Sequence, residues 1–129
     1  MIRRAHLILF VADQAASSRF YAATLKVVPS LDVPGMTELP LSDGAVLGLM
    51  PQTGIRRLLG GRLPAPAPRG APVAELYLVV DEPAAYHARA LAAGGTELSA
   101  LLGRDWGHEV AYSLDPDGHI VAFARSIAL

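Results

Sequence analysis

Most of the chemistry open to this chain rests on four histidines, a single tryptophan and a few acids placed at strand ends and turns. His6 opens the run His6-Leu7-Ile8-Leu9-Phe10-Val11, and Glu75 opens the run Glu75-Leu76-Tyr77-Leu78-Val79-Val80. Strand alternation places His6, Ile8 and Phe10 on one face, and Glu75, Tyr77 and Val79 likewise. A histidine and a glutamate can exchange a proton with a substrate, or satisfy each other as an ion pair. Trp106, in Arg104-Asp105-Trp106-Gly107, offers an indole that can stack on a planar compound or pin its loop to the sheet. His108 and Tyr112 alternate along the next run, on the same side as Val110, a side that could line a ligand cleft or face a partner subunit or the helices. Asp115 and Asp117 resemble a carboxylate pair, yet turn acids accept from nearby backbone N–H groups, and that role suffices for them. His87 reads as a surface position in mid-helix, and His119 as a strand-edge residue. With no cysteine, disulfides, thiolate catalysis and zinc fingers are excluded. No Ser/His/Asp order or phosphate-binding glycine loop has the strand–helix context it would need.

The elements that must position these residues occur twice. Each opening run is closed by an acid, Asp13 or Asp81, that can cap a helix, predicted at about 15–25 and 83–93. Phe20, Thr24 and Leu25 mark the buried stripe of the first helix, and Tyr86, Ala90 and Leu91 that of the second. Pro83 suits a first helical turn, and Gly94-Gly95 ends the second helix. A short strand follows each helix, near 27–33 and 96–99. Each half then finishes in a hairpin, 37–41 with 45–50 and 108–114 with 119–125, turned by Ser42-Asp43-Gly44 and by Asp115-Pro116-Asp117-Gly118. The order is βαβββ, stated twice, with module one at about 4–50 and module two at 73–126. The linker, 51–72, holds five of the ten prolines, four glycines and four arginines, and one helical piece at 55–59. Arg56, Arg57, Arg62 and Arg69 read as a solvated patch; their functional alternative is a lid that grips an anionic ligand or a partner chain.

The 129 residues are 52% hydrophobic and 18% charged, with a formal net charge of −1. They fit one domain with a packed core, and the charge balance gives no support for nucleic-acid or anionic-membrane partners. The apolar run 7–12 is too short for a membrane span and lacks a cleavage pattern, so a cytoplasmic protein is expected.

The duplicated pattern resembles the vicinal oxygen chelate superfamily, which includes glyoxalase I, extradiol dioxygenases and bleomycin-resistance proteins. The resemblance rests on His6, on Ser18-Arg19-Phe20-Tyr21 with Leu25, on Trp106-Gly107, and on Tyr112 followed by Asp115-Pro116-Asp117-Gly118. It covers nearly the whole chain outside the linker. It implies an α+β fold in which two βαβββ modules form a cup-shaped mixed sheet with helices on the outer face, often completed by a homodimer.

In metal-dependent members, ligands stand on the first and last strand of each module. The first-strand positions match His6 and Glu75, whereas the last-strand positions match Gly48 and Ala122, which have no ligating side chain. Two ligands fall short of the three a catalytic divalent site usually needs. The expected function is therefore metal-independent binding of an apolar or aromatic compound in the cup, with no cofactor. Phe10, Tyr77, Trp106, His108 and Tyr112 would contact that compound. The alternative is a lyase, isomerase or dioxygenase of the same superfamily, using zinc, nickel, manganese or iron held by His6 and Glu75, with those two as catalytic candidates. If no metal binds, His6 and Glu75 are expected to pair with each other or with a ligand.

Overall fold

The computed structural model describes residues 1–64 and 72–127. Module one runs β1 (Ala5–Val11), α1 (Gln14–Leu25), β2 (Leu31–Val33), β3 (Met36–Ser42) and β4 (Ala45–Pro51). The connection holds α2 (Gln52–Leu59) and a 3-10 turn (Gly60–Arg62), and Arg69 lies outside the described residues. Module two runs β5 (Glu75–Val79), α3 (Pro83–Ala92), β6 (Thr96–Gly103), β7 (His108–Leu114) and β8 (Ile120–Ser126).

Both modules adopt one topology. Their four-stranded sheets have the orders β1-β4-β3-β2 and β5-β8-β7-β6, an open arrangement and not a closed barrel. The outer pairs β1–β4 and β5–β8 are parallel, because a helix returns the chain between the opening strands and the rest; the hairpins that follow are antiparallel. The predicted α+β duplication is the architecture found.

Several boundaries differ from expectation for local reasons. Asp13 caps α1 as predicted, accepting from Ala16 N at 3.0 Å. Asp81 does not cap α3: Glu82 occupies that position without a side-chain bond, and Pro83 opens the helix with no N–H to satisfy. The strand expected near 27–33 is confined to Leu31–Val33, and the one expected at 96–99 runs on to Gly103 through two register shifts. His87 is buried rather than exposed, its Nε2 2.9 Å from Glu97 Oε2. At Gly95 a Cβ would lie 2.8 Å from Ala90 O and 2.9 Å from Leu114 O, so only glycine lets α3 close onto the end of β7.

The helix-facing sides of both sheets share one core. Val11, Leu39, Leu47 and Leu49 from module one meet Leu76, Val121 and Phe123 from module two, with Phe20, Tyr21, Leu25 and Ala90 supplied by the helices. The helices α1 and α3 pack on each other. The second sheet's other face carries no helix, whereas on the first sheet α2 packs against β1 and β4, beside Phe10. No helix among the described residues is long and apolar enough to cross a membrane.

Candidate functional site

On the helix-free face of the second sheet, Val110, Ala122 and Ala124 are fully buried under the flanking rings of Tyr77 and Tyr112. The register sets Tyr77, Ala122 and Tyr112 side by side across β5, β8 and β7. Small residues in the middle strand leave room for the two phenol rings to lean over it. This face is a platform of alternating large and small side chains.

The Tyr77 hydroxyl is its polar centre. Trp106 Nε1 donates to it at 3.0 Å, and it lies 2.6 Å from His108 Nδ1. The rings of Tyr77 and His108 stack with centroids 5.9 Å apart. The loop beneath Trp106 is held from both sides: Gly107 takes φ +82°, Arg104 N donates to His108 O, and Ile127 N donates to Gly107 O. Trp106 therefore has a fixed edge while its residue surface stays 56% exposed. The indole is pinned to the sheet, and its exposed surface leaves room for a stacked compound.

Arg104 braces the far side. Its Nη2 donates to Ser99 Oγ at 2.7 Å and to Val110 O at 3.0 Å, and its guanidinium lies 5.1 Å from the Tyr112 ring centroid. Burial, then the charge of Glu75, push the Tyr112 phenol up, with Arg104 opposing, so Tyr112 stays protonated at neutral pH.

The first sheet is arranged differently. His6 pairs with Glu38 on β3, not with Glu75: its Nδ1 lies 3.2 Å from Glu38 Oε2, and Arg4 Nε donates to its Nε2 at 3.0 Å. Both ring nitrogens are thus engaged. Glu38 stands beside Gly48 in the β3–β4 register, and counting back from the Gly44 turn could have found it. Phe10 lines a separate cavity of about 300 Å³ with Gln52, Ile55, Arg56, Leu63 and Pro64. The structure thus groups Tyr77, Trp106, His108 and Tyr112, with Glu75 near them, and sets His6 and Phe10 on the other sheet.

The residues present do not fit the divalent metal that the superfamily implies. A Cβ at Gly48 would come 2.9 Å from Ile8 Cγ1 and 3.3 Å from Met36 Sδ, so apolar side chains already fill the place of a ligand there. Ala122 is sealed beneath the two tyrosines. Among the described residues, Asp115, Asp117 and His119 are the one group of three close enough to share an ion. Both Asp115 oxygens, Asp117 Oδ1 and His119 Nδ1 are otherwise engaged. Asp115 Oδ1 accepts from Asp117 N and His119 N, and its Oδ2 takes the Tyr21 hydroxyl at 2.6 Å and lies 2.8 Å from His119 Nδ1. Asp117 Oδ1 accepts from Ala12 N. This turn is a joint between modules, with hydrogen-bond donors standing where an ion would. The Tyr21 and Ala12 contacts, unlike the turn itself, depend on tertiary packing that sequence does not display.

The glyoxalase-like domain model matches residues 6–123. Among solved structures, a glyoxalase-related enzyme from Fulvimarina pelagi is 27% identical with a TM-score of 0.81, over 95% of this chain and 86% of that one. A glyoxalase/bleomycin resistance protein/dioxygenase family enzyme from Burkholderia phytofirmans PsJN is 19% identical with a TM-score of 0.81, over 95% and 97%. A glyoxalase/bleomycin resistance protein/dioxygenase from Nocardioides is 23% identical with a TM-score of 0.76, over 95% and 82%. Curated proteins give no significant match. The duplicated βαβββ topology and a family match over nearly all of its length agree: this chain belongs to the glyoxalase-like domain family.

Proposed function

We propose that this protein binds a planar apolar or aromatic compound without a metal, on the Tyr77–Trp106–His108–Tyr112 face. The observation that carries this reading is Trp106, whose Nε1 is held by Tyr77 while its residue surface is 56% exposed. An exposed indole with a fixed edge is a preorganised stacking surface, which costs little ordering entropy when a ligand arrives. The alanine floor supplies apolar area, and Tyr77, His108 and Tyr112 supply a few polar groups to orient the ligand.

The face is open. A second copy of the chain closes it in this reading, giving a homodimer; Ile8, Phe10 and Val79, each more than a third exposed, supply apolar area for that contact. The engaged nitrogens of His6 and the packed Gly48 favour binding over metal-assisted lyase or dioxygenase chemistry.

Trp106 is the only tryptophan, so its emission reports on this face alone. Titration with a panel of planar aromatic compounds, aromatic antibiotics included, is expected to give saturable quenching or a shift with at least one. A flat response throughout the panel would sink the reading. Calorimetric titration with nickel, zinc and manganese is expected to show no site tighter than micromolar.

A further inference from the structure

We infer that the Trp106–Tyr77–His108 chain fixes His108 as its Nε2–H tautomer, so that this face selects planar aromatic compounds carrying a neutral carbonyl oxygen. The inference rests on the ligand face proposed above and assigns the chemical class of its occupant.

The indole N–H can only donate, so the Tyr77 oxygen must accept from Trp106. One proton then lies in the 2.6 Å contact between that oxygen and His108 Nδ1. A phenol O–H is a better donor than an imidazole N–H, and an imidazole nitrogen is a better acceptor than a phenol oxygen. Donation by Trp106 into the oxygen strengthens the phenol further as a donor. The proton therefore sits on Tyr77, His108 Nδ1 accepts it, and the ring's own hydrogen is on Nε2.

Among the described residues Nε2 of His108 has no partner, and it is not among the buried atoms left unsatisfied, so it is open to solvent or ligand. A ligand stacked on Trp106 then meets an outward N–H. A hydrocarbon would cover that donor without pairing it, whereas a carbonyl oxygen accepts from it. At Tyr112 on the same face the charge of Glu75 outweighs that of Arg104, whose Nη2 is committed to Ser99 Oγ and Val110 O; this balance disfavours a carboxylate and leaves aryl ketones and quinones as the matching class.

Three probes of one skeleton test this: fluorene, 9-fluorenone and fluorene-2-carboxylate, titrated against Trp106 emission. Fluorenone is expected to bind roughly tenfold tighter than either of the others. In His108→Phe that preference should vanish while fluorene binding persists. Equal affinity of fluorene and fluorenone in the native protein, or tightest binding of the carboxylate, overturns the inference. Nitrogen-15 NMR of the ligand-free protein gives a readout independent of binding. It should show His108 protonated on Nε2 at neutral pH, with the preference for that tautomer reduced in Tyr77→Phe. An Nδ1–H tautomer overturns the inference and leaves the binding role intact. Failure of all three probes to bind, with the Nε2–H form present, overturns the ligand face itself and the ligand class with it.

Discussion

The Tyr21 hydroxyl, on α1 of module one, donates to Asp115 Oδ2, in the turn of module two, at 2.6 Å. Both residues are buried, with 0% and 4% of their surface exposed. With His119 Nδ1 and two backbone N–H groups, Tyr21 completes four contacts to one carboxylate. Burial, then the charge and hydrogen bond of Asp115, raise the Tyr21 phenol far beyond its usual range, so it remains a donor at any working pH. The bond therefore couples the modules as well as satisfying a buried acid.

Tyr21→Phe keeps the ring against Phe20 but leaves one Asp115 lone pair without its donor. The expected cost is about 1–3 kcal/mol of unfolding free energy, measured by urea titration. Asp115→Ala should cost more, since it strands the buried Tyr21 hydroxyl, His119 and two N–H groups at once. Equal stability of Tyr21→Phe and the native chain would show that the contact contributes nothing across the joint.

The same joint sets a pH window. Burial pushes the Asp115 carboxyl up, but hydrogen bonds from His119 and Tyr21 outweigh it and hold the carboxyl below its usual range. Its contribution is present above the unfolded carboxylate pKa, about 4, and is lost as pH falls through the lower folded value. The hydrogen bond to Asp115 raises His119, against burial. That contribution is complete below the unfolded histidine pKa, about 6.5, and is lost as pH rises through the higher folded value. Stability should therefore decline on going from about pH 5.5 to about pH 8.5, and His119→Gln should remove most of that decline while keeping the acid-side loss. An identical decline in His119→Gln would place the effect elsewhere.

How much of this was legible in the sequence depended on whether the cause was local. Alternation and Asp-Gly turns placed both modules and the paired faces, because period-two burial and turn chemistry are written in adjacent residues. Asp81 misled because Pro83 already meets the need that a cap would serve. His87 looked like a surface residue in a helix pattern; its burial follows from Glu97, ten positions on, which only the β6 packing brings within reach. Within the candidate site, alternation put His108 and Tyr112 on one side of their strand, yet it could not show that this is the face of Tyr77, or the shared hydroxyl that organises them. Glu38 was overlooked because its partner His6 lies two strands away, across β4.

Gly48 gives a test of packing. A Cβ there would stand 2.9 Å from Ile8 Cγ1, whose attachment to a branched Cβ restricts its rotation. Gly48→Ala is expected to cost about 1–3 kcal/mol through overpacking. In an Ile8→Ala background the same change should cost much less, and a double-mutant cycle reads the coupling directly. Additive costs would mean that the Ile8 contact is not what excludes a side chain at Gly48.

Trp106 and Tyr77 give a local test that needs no ligand. The indole is mostly exposed, so its orientation depends on the 3.0 Å bond to the Tyr77 hydroxyl and on the loop backbone. Tyr77→Phe keeps the ring over Ala122 and removes the acceptor. Trp106 anisotropy should then fall and its emission shift to longer wavelength, as the indole gains motion and water. Unfolding free energy should drop by no more than about 1.5 kcal/mol, the net worth of a half-exposed hydrogen bond. His108→Phe, which spares the Tyr77 oxygen, should leave Trp106 anisotropy nearly unchanged. Equal anisotropy losses in the two variants would mean that ring packing, and not the shared hydroxyl, holds the indole in place.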